Sequence, residues 1–366
     1  MELQVKDIIR EFENFAPIQY QESYDNAGLI LGSPGMVIES VLLTVDVTED
    51  VIDEAVKLGA GLIIAHHPVI FKGLKQITGS NYVERTVIKA IKNNIAVYAA
   101  HTNMDAVAGG VNKILAQKIG LENISIINPR KGVLKKLYVF VPHDHAEKVR
   151  NAAFKAGAGG IGDYDSCSFN IDGRGSFRAG EDSNPFVGNI GEIHFEAETR
   201  IEMVYPRHIE SKLIKAVVDA HPYEEVAYDI CKLDNAWEQI GIGMAGHFAE
   251  PVEPEKLLNK LTKVLKQPHL RYTEPPKTKI QKLAVCGGSG SFMIKNAISI
   301  NADAILTADI KYHEFFDAEG KIMIIDAGHY ETEQFTKELF FYVIQKKFPK
   351  FAVQFSNINT NPVNYY

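Results

Sequence analysis

Cysteine is scarce in this chain: Cys167, Cys231 and Cys286 are the only three in 366 residues. An odd number at wide spacing suits neither a disulfide framework nor a zinc ribbon, and it points to a reducing compartment. Long apolar runs are missing too; none approaches the ~20 residues that a helix needs to cross a bilayer. Basic charge is in the minority, with 39 Lys and Arg against 46 Asp and Glu, for a net charge of −7. That sign lacks the field of a dedicated nucleic-acid or anionic-membrane binder, although a locally basic channel can sit inside an acidic total. The opening stretch MELQVKDIIREFENF is acidic with helical periodicity, not a basic segment leading into an apolar one, so no secretory signal is expected. Core-forming residues, by contrast, are plentiful. A hydrophobic content of 46%, in a chain long enough for two or three ~150-residue domains, excludes a disordered protein. The expectation is a soluble, cytoplasmic, multi-domain protein without membrane association or a nucleic-acid partner.

Up to about residue 125 the pattern alternates short apolar strands with amphipathic helices. VLLTVDV (41–47), GLIIAHH (61–67) and IAVYAAHT (95–102) read as strands. Thr48 is placed to cap the helix after the first of them, and Gly59 to end it. Such alternation predicts a mostly parallel sheet with helices on its faces. Between about 130 and 235 the order becomes β-α-β-β-α-β, the ferredoxin-like arrangement. Past Asn235 the first pattern resumes with KLAVCGG, ADAILTADI and KIMIIDAG. Residues 41–71 and 283–313 superpose without a gap at an offset of 242, and IAVYAAHTNMD aligns with IMIIDAGHYETE at an offset of 228. The fold class expected is α/β: two related α/β lobes, 1–128 and 236–366, forming one core, with a ferredoxin-like α+β unit, 129–235, inserted between them in sequence.

Three polar clusters fall at the carboxyl ends of predicted core strands, where α/β sheets build their ligand sites. His66-His67-Pro68 ends the strand GLIIA, and beyond the strand the two rings can fan out toward different ions. Read blandly, it is a surface histidine pair stiffened by proline. His101 and Asp105 follow IAVYAA, an imidazole and a hard carboxylate that suit Zn, Mn or Fe; Asp105 could equally be an N-cap for the next helix. His329 and Glu333 follow IMIIDAG at i and i+4, on one face if a helix begins there. Glu331 reads as a solvated residue of that helix start, favoured by the dipole. Five ligands, His66, His67, Asp105, His329 and Glu333, are too many for one open tetrahedral zinc and suit two metals sharing a water.

Softer signals remain. CGGSGS (286–291) lacks the phosphate-loop lysine and the dinucleotide spacing, and reads as a tight turn. Thr307, Asp309, Lys311 and His313 sit where the second lobe matches the histidine pair of the first, as supporting partners, substrate contacts or plain strand-end polarity. Cys286 reads as core. HPYEEVAYD (221–229) fits a helix-to-strand corner as well as a site.

The His66-His67-Pro68 strand end, HTNMD (101–105), TADIKYHE (307–314) and GHYETE (328–333) together resemble the signature segments of the Nif-three-like family, also called GTP cyclohydrolase I type 2 homologs. SYDNAGLILG (23–32) resembles that family's N-terminal segment, with Tyr24 where Trp is more usual. The resemblance spans both lobes, and the insert is similar to the PII- or CutA-like domain of the longer bacterial members. It implies two divalent ions per subunit, Zn first with Fe or Mn as alternatives, held by His66, His67, Asp105, His329 and Glu333, with Glu333 as the bridge. It also implies a hexameric ring with the metal sites facing an internal cavity. The reading is a metal-dependent hydrolase of a small molecule, a purine nucleotide such as GTP being one option, with His101, His313 or Asp309 as proton shuttles or supporting groups. The alternative is a non-catalytic metal-binding ring with a regulatory or assembly role.

Overall fold

The computed structural model describes residues 2–366. The chain divides into two compact units: one runs up to Pro129 and resumes at Glu238, the other is Arg130–Trp237. In chain order, β1 (Gly28–Leu31), β2 (Ser40–Thr44), β3 (Leu62–Ala65), β4 (Ala96–Ala99) and β5 (Glu122–Lys131) come first. The intervening unit contributes β6 (Leu134–Pro142), β7 (Phe169–Arg178), β8 (Ile193–Pro206) and β9 (Tyr228–Lys232). The chain then returns with β10 (Ala236–Val252), β11 (Arg271–Tyr272), β12 (Ile280–Ser289), β13 (Ala304–Ala308), β14 (Met323–Asp326) and β15 (Ala352–Phe355).

The first unit holds two sheets, in the orders β1-β4-β3-β2-β15 and β11-β14-β13-β12-β10-β5. Each contains three parallel strands in one order, β4-β3-β2 and β14-β13-β12, with a short antiparallel strand outside them. Register repeats as well as order. Val41 pairs with Leu62 in the first sheet, and Leu283 with Ala304 in the second, each partner 242 positions further on. Both faces of the second sheet are buried: Leu283, Val285, Leu306 and Ile325 join one core, Ala284, Cys286, Ile305 and Ile324 another. Parallel strands covered on both sides read as near-continuous apolar runs for this reason. Each Leu or Ile so enclosed contributes roughly 1.5–3 kcal/mol.

Two departures from the sequence reading concern this unit. The sheets do not divide where the lobes do: β5, from the first segment, lies in the second sheet, and β15, from the last segment, pairs in parallel with β2 in the first. β15 takes the edge that the three parallel strands leave at β2, and β5 takes the edge of β10; an open edge accepts whichever segment reaches it, whatever the sequence distance. The strands are also shorter than read. β3 stops at Ala65 because the N–H groups of His66 and His67 both turn back to the carbonyl of Val45, at 3.1 and 3.0 Å.

Helix Glu49–Leu58 joins β2 to β3. The Thr48 hydroxyl accepts from the Val51 N–H at 3.3 Å, and Gly59 ends the helix in the left-handed region at φ 65°. The matching link between β12 and β13 is a 3-10 turn and a short helix, Ile294–Ser299, without a side-chain cap.

Taken by itself, the second unit runs β6, helix Ala146–Ala156, β7, β8, helix Glu210–Ala220, β9, with sheet order β7-β8-β6-β9 and every pairing antiparallel. Val149 and Ala153 of one helix and Leu213 and Val217 of the other pack on Leu137, Val139, Ile201 and Met203. Among the described residues, no helix is long and apolar enough to cross a membrane.

Candidate functional site

The polar strand ends of the two sheets meet. Beyond β3, His66 is fully buried, with its Nδ1 2.9 Å from the carbonyl of Ala100. His67 is half-buried, its Nδ1 2.7 Å from Asp46 Oδ1 at the end of β2. Beyond β4 the short helix Thr102–Ala106 starts at His101, whose Nδ1 lies 2.7 Å from Asp25 Oδ1. Asp25 also accepts from the Thr102 N–H at 3.0 Å and from its hydroxyl, so one carboxylate fixes this helix start and aims the ring. Beyond β14, helix His329–Glu333 sets its first and last residues on one face, and Asp309 Oδ2 holds the His329 Nδ1 at 2.7 Å. Asp309 itself sits in the left-handed region at φ 57°.

All four imidazoles therefore have an oxygen acceptor at Nδ1. The acceptors fix the proton at Nδ1 and leave Nε2 as the atom that faces the others. There the distances are short. His66 Nε2 is 3.8 Å from Asp105 Oδ1 and 3.5 Å from Glu333 Oε1. Glu333 Oε2 is 3.0 Å from His67 Nε2 and 3.1 Å from His329 Nε2, and the two nitrogens are 3.3 Å apart. Within the cluster, His66 Nε2 is buried without a hydrogen bond. Buried polar atoms are rarely left so, and a cation is the partner that satisfies a convergent set of imidazoles and a carboxylate together. Two groups have donor atoms within 4.8 Å of one another: His66, His67 and His101, and His67, His329 and Glu333. Backing each ring by a carboxylate or carbonyl is the arrangement that orients metal-binding histidines.

The electrostatics follow from that packing. Burial opposes charge on His67, but hydrogen bonds to Asp46 and Glu333 outweigh it and push its pKa up to about 9. Burial likewise opposes charge on His329, and Asp309 and Glu333 raise it to about 11. Glu333 is buried, yet His66, His329 and His67 hold its carboxyl well below the usual range. Asp105 goes the other way, raised by burial and by the charge of Glu333 despite His66. Burial also works against ionised Asp25, but His101 and Thr102 bring it down to about 2.

Glycine makes room for this constellation. A Cβ at Gly288, where φ is 63°, would overlap Glu333 Oε1, and β12 is tied there by the Gly288 N–H to Thr332 Oγ1 at 3.0 Å and by Thr307 Oγ1 to the Gly288 carbonyl at 3.0 Å. The CGGSGS segment is thus a floor beneath Glu333, and its first four residues are the end of β12 rather than the tight turn expected. Gly288, Asp25 and Asp46 were not singled out in the sequence; an acidic residue at the end of β2 was the available hint.

Several sequence expectations need correcting. Asp105 is no N-cap: the following helix Val111–Ile119 is capped by Gly110, and Asp105 lies inside the preceding short helix with its carboxylate toward His66. Glu331 is buried rather than solvated, accepting from Gln267 at 3.2 Å and Asn361 at 2.9 Å. His313 stays out of the cluster, exposed in a 3-10 segment and against the rings of Tyr312 and Phe316. Lys311 is exposed too, and its backbone N–H donates to Glu314 Oε2 at 2.8 Å. A cavity of about 560 Å³ opens beside His67 and His329 and reaches His269, Arg271, Asn361 and Tyr365.

The pattern of the Duf34/NIF3 (NGG1p interacting factor 3) family matches residues 3–362. The chain belongs to the Duf34/NIF3 family. A relative in Halalkalibacterium halodurans named GTP cyclohydrolase 1 type 2 homolog is 38% identical over 364 residues, 98% of each chain. A Bacillus subtilis protein of the same name is 37% identical over 366 residues, again 98% of each. Among solved structures, a Bacillus cereus protein related to NIF3 matches with a TM-score of 0.88 and 37% identity over the whole of both chains. The segments that resemble the NIF3 family in sequence are the ones whose side chains meet here, including Asp25 from SYDNAGLILG and Asp309 from TADIKYHE.

Proposed function

We propose that this NIF3-family protein is a metal-dependent hydrolase of a small molecule, with two divalent cations per chain, Zn foremost and Fe or Mn as alternatives. His66, Asp105 and Glu333 would hold one ion; His67, His329 and Glu333 would hold the other. One observation carries the reading: three imidazoles, each braced at Nδ1, turn toward a buried carboxylate whose two oxygens face different rings. Such a pair of ions supplies Lewis acidity and a water acidified toward neutral pH.

The chain's own groups would do the rest. Asp46 and Asp309 orient the rings of His67 and His329. His101, tethered to Asp25 and with its ring 5.2 Å from that of His66 and 5.3 Å from that of His67, is placed to hold or move a proton beside the ions. The adjoining cavity, about 560 Å³, suits a nucleotide-sized substrate, and Arg271 and His269 at its wall suit an anionic end. The name of the curated relatives favours GTP among such substrates. Elemental analysis of protein purified without added metal should find roughly two ions per chain, and the loaded protein should turn over GTP or another member of a phosphoester and amide panel. Metal binding with no turnover across that panel would sink the hydrolase reading.

A second reading, a metal-binding ring with a regulatory role, is favoured by the separate unit Arg130–Trp237. Its strand order supports a ferredoxin-like, PII- or CutA-like identity. Exposed Tyr272, Tyr312 and Phe316, around a cavity of about 420 Å³ in the first unit, support self-association, with the hexameric ring as the proposed form. On this reading His67→Ala and Glu333→Ala change the mass in solution and leave no turnover to lose.

A further inference from the structure

We propose that the unit Arg130–Trp237 binds a small organic cation, an alkylated ammonium, in a cavity of its own walled by aromatic rings. The cavity measures about 460 Å³, within the range of small-ligand sites. Its walls come from separate stretches of chain: Phe177 from β7, Phe186 from the connection 179–192, and Tyr223 from the corner after helix Glu210–Ala220. The Tyr223 ring centroid is 6.0 Å from that of Phe177 at 59°, and 6.2 Å from that of Phe186 at 50°. Rings tilted to one another and lining one space can turn more than one π-face to whatever fills it. Those faces are negative, and a cation near several of them is held by each.

The polar lining has the matching sign. Glu198 of β8 accepts from the Tyr223 hydroxyl at 3.2 Å, and Glu224 and Glu225 stand at the same wall. Arg178 is the one basic residue among the lining groups. Three carboxylates against one guanidinium leave the cavity acidic, which disfavours a phosphate-bearing ligand and favours an ammonium. Room for Glu198 is made by Gly175, since a Cβ there would overlap Glu198 Oε2. The histidine behind Tyr223 adds no charge. His221 accepts the Tyr223 N–H at Nδ1, 3.1 Å away, while Nε2 donates to the carbonyl of Phe140 at 2.9 Å, and a ring that accepts at one nitrogen is the neutral form.

The wall bearing Phe186 is held in place. Glu224 Oε1 accepts the Asn184 N–H at 2.9 Å, the Ser183 hydroxyl donates to the Gly180 carbonyl at 2.7 Å, and the Gly191 N–H reaches the Ala179 carbonyl at 2.9 Å. A site ordered before its ligand arrives loses less entropy on binding. An alkylated ammonium meets both needs of this lining, apolar surface for the rings and a diffuse positive charge for the carboxylates. A hydrated metal ion would meet only the second.

The test is isothermal titration calorimetry on the full chain with tetramethylammonium, with choline, and with the uncharged carbon analogue of choline, 3,3-dimethyl-1-butanol. Choline is expected to bind at least tenfold more tightly than its carbon analogue, and both Phe177→Ala and Glu198→Gln are expected to weaken it at least tenfold with the metal content unchanged. Equal binding of the carbon analogue would overturn the proposal, leaving an apolar slot. So would the absence of heat with either cation, or choline binding that survives both substitutions. Glu198→Gln preserves shape, so it decides the matter if circular dichroism shows that Phe177→Ala is misfolded.

Discussion

The two sheets of the first unit have one strand order and one register, yet they use their strand ends differently. Past the middle strand, the first sheet offers His66 and His67; the corresponding residues of the second are Ala308 and Asp309, and Asp309 braces a histidine. Past the strand before it, Asp46 braces His67 in the first sheet; its counterpart in the second, Gly288, lies within β12, braces no ring and clears space for Glu333. Past the third strand the two copies agree, His101 and Asp105 standing over His329 and Glu333, each pair on a one-turn helix. A repeated backbone thus supplies repeated addresses. The residue at each address decides whether it faces the centre, holds a neighbour or makes room.

The strongest way to break this comparison is Glu333→Gln, because Glu333 approaches imidazoles from both sheets. Its metal affinity, read by elemental analysis and chelator competition, is expected to fall by more than the roughly 10–100-fold typical of a supporting residue. Retained metal would show that the sheets do not share a centre. Asp46→Asn and Asp309→Asn should each lower affinity by roughly 10–100-fold, since each orients one ring. A loss in only one of the two would mean that bracing is not a duty common to both sheets.

pH sharpens the same point. Without a cation, His67 titrates at about 9 and His329 at about 11. At neutral pH both hold protons that a cation must displace, so affinity rises with pH, by up to about tenfold per unit for each proton released. Calorimetry in two buffers of different ionisation enthalpy would count those protons, and a pH-independent affinity would contradict the assignment. Smaller effects concern the scaffold. Gly288→Ala forces a side chain into the left-handed region against Glu333 and should cost more than about 1 kcal/mol, seen as a lowered Tm of the metal-free protein. Thr48→Ala removes a cap that the second sheet's link lacks and should cost about 1 kcal/mol, visible in the same melt.

Much of this was legible in the sequence because it is local. Thr48 and Gly59 announced a helix by cap chemistry, and apolar runs such as LIIA and AILTA announced strands covered on both faces. The His and acidic residues after those strands were visible as polar residues breaking an apolar pattern. What stayed hidden needed distance. Asp25 meets His101 from 76 residues away. Glu331 looked solvated until Gln267 and Asn361 closed over it, and His313 looked central until its segment turned outward against Tyr312 and Phe316.

By itself, then, the order of residues settled where the core strands lie, that the helix after β2 is capped by Thr48, and that each sheet would end in groups able to hold a proton or a cation; these depend on neighbours a few positions away. Only the folded chain decided that β5 and β15 would each complete the other lobe's sheet, and that Glu333 would lie among histidines more than 260 residues distant. Side chains so far apart in sequence come together through the burial of the surfaces between them, and that burial belongs to the whole fold rather than to any segment.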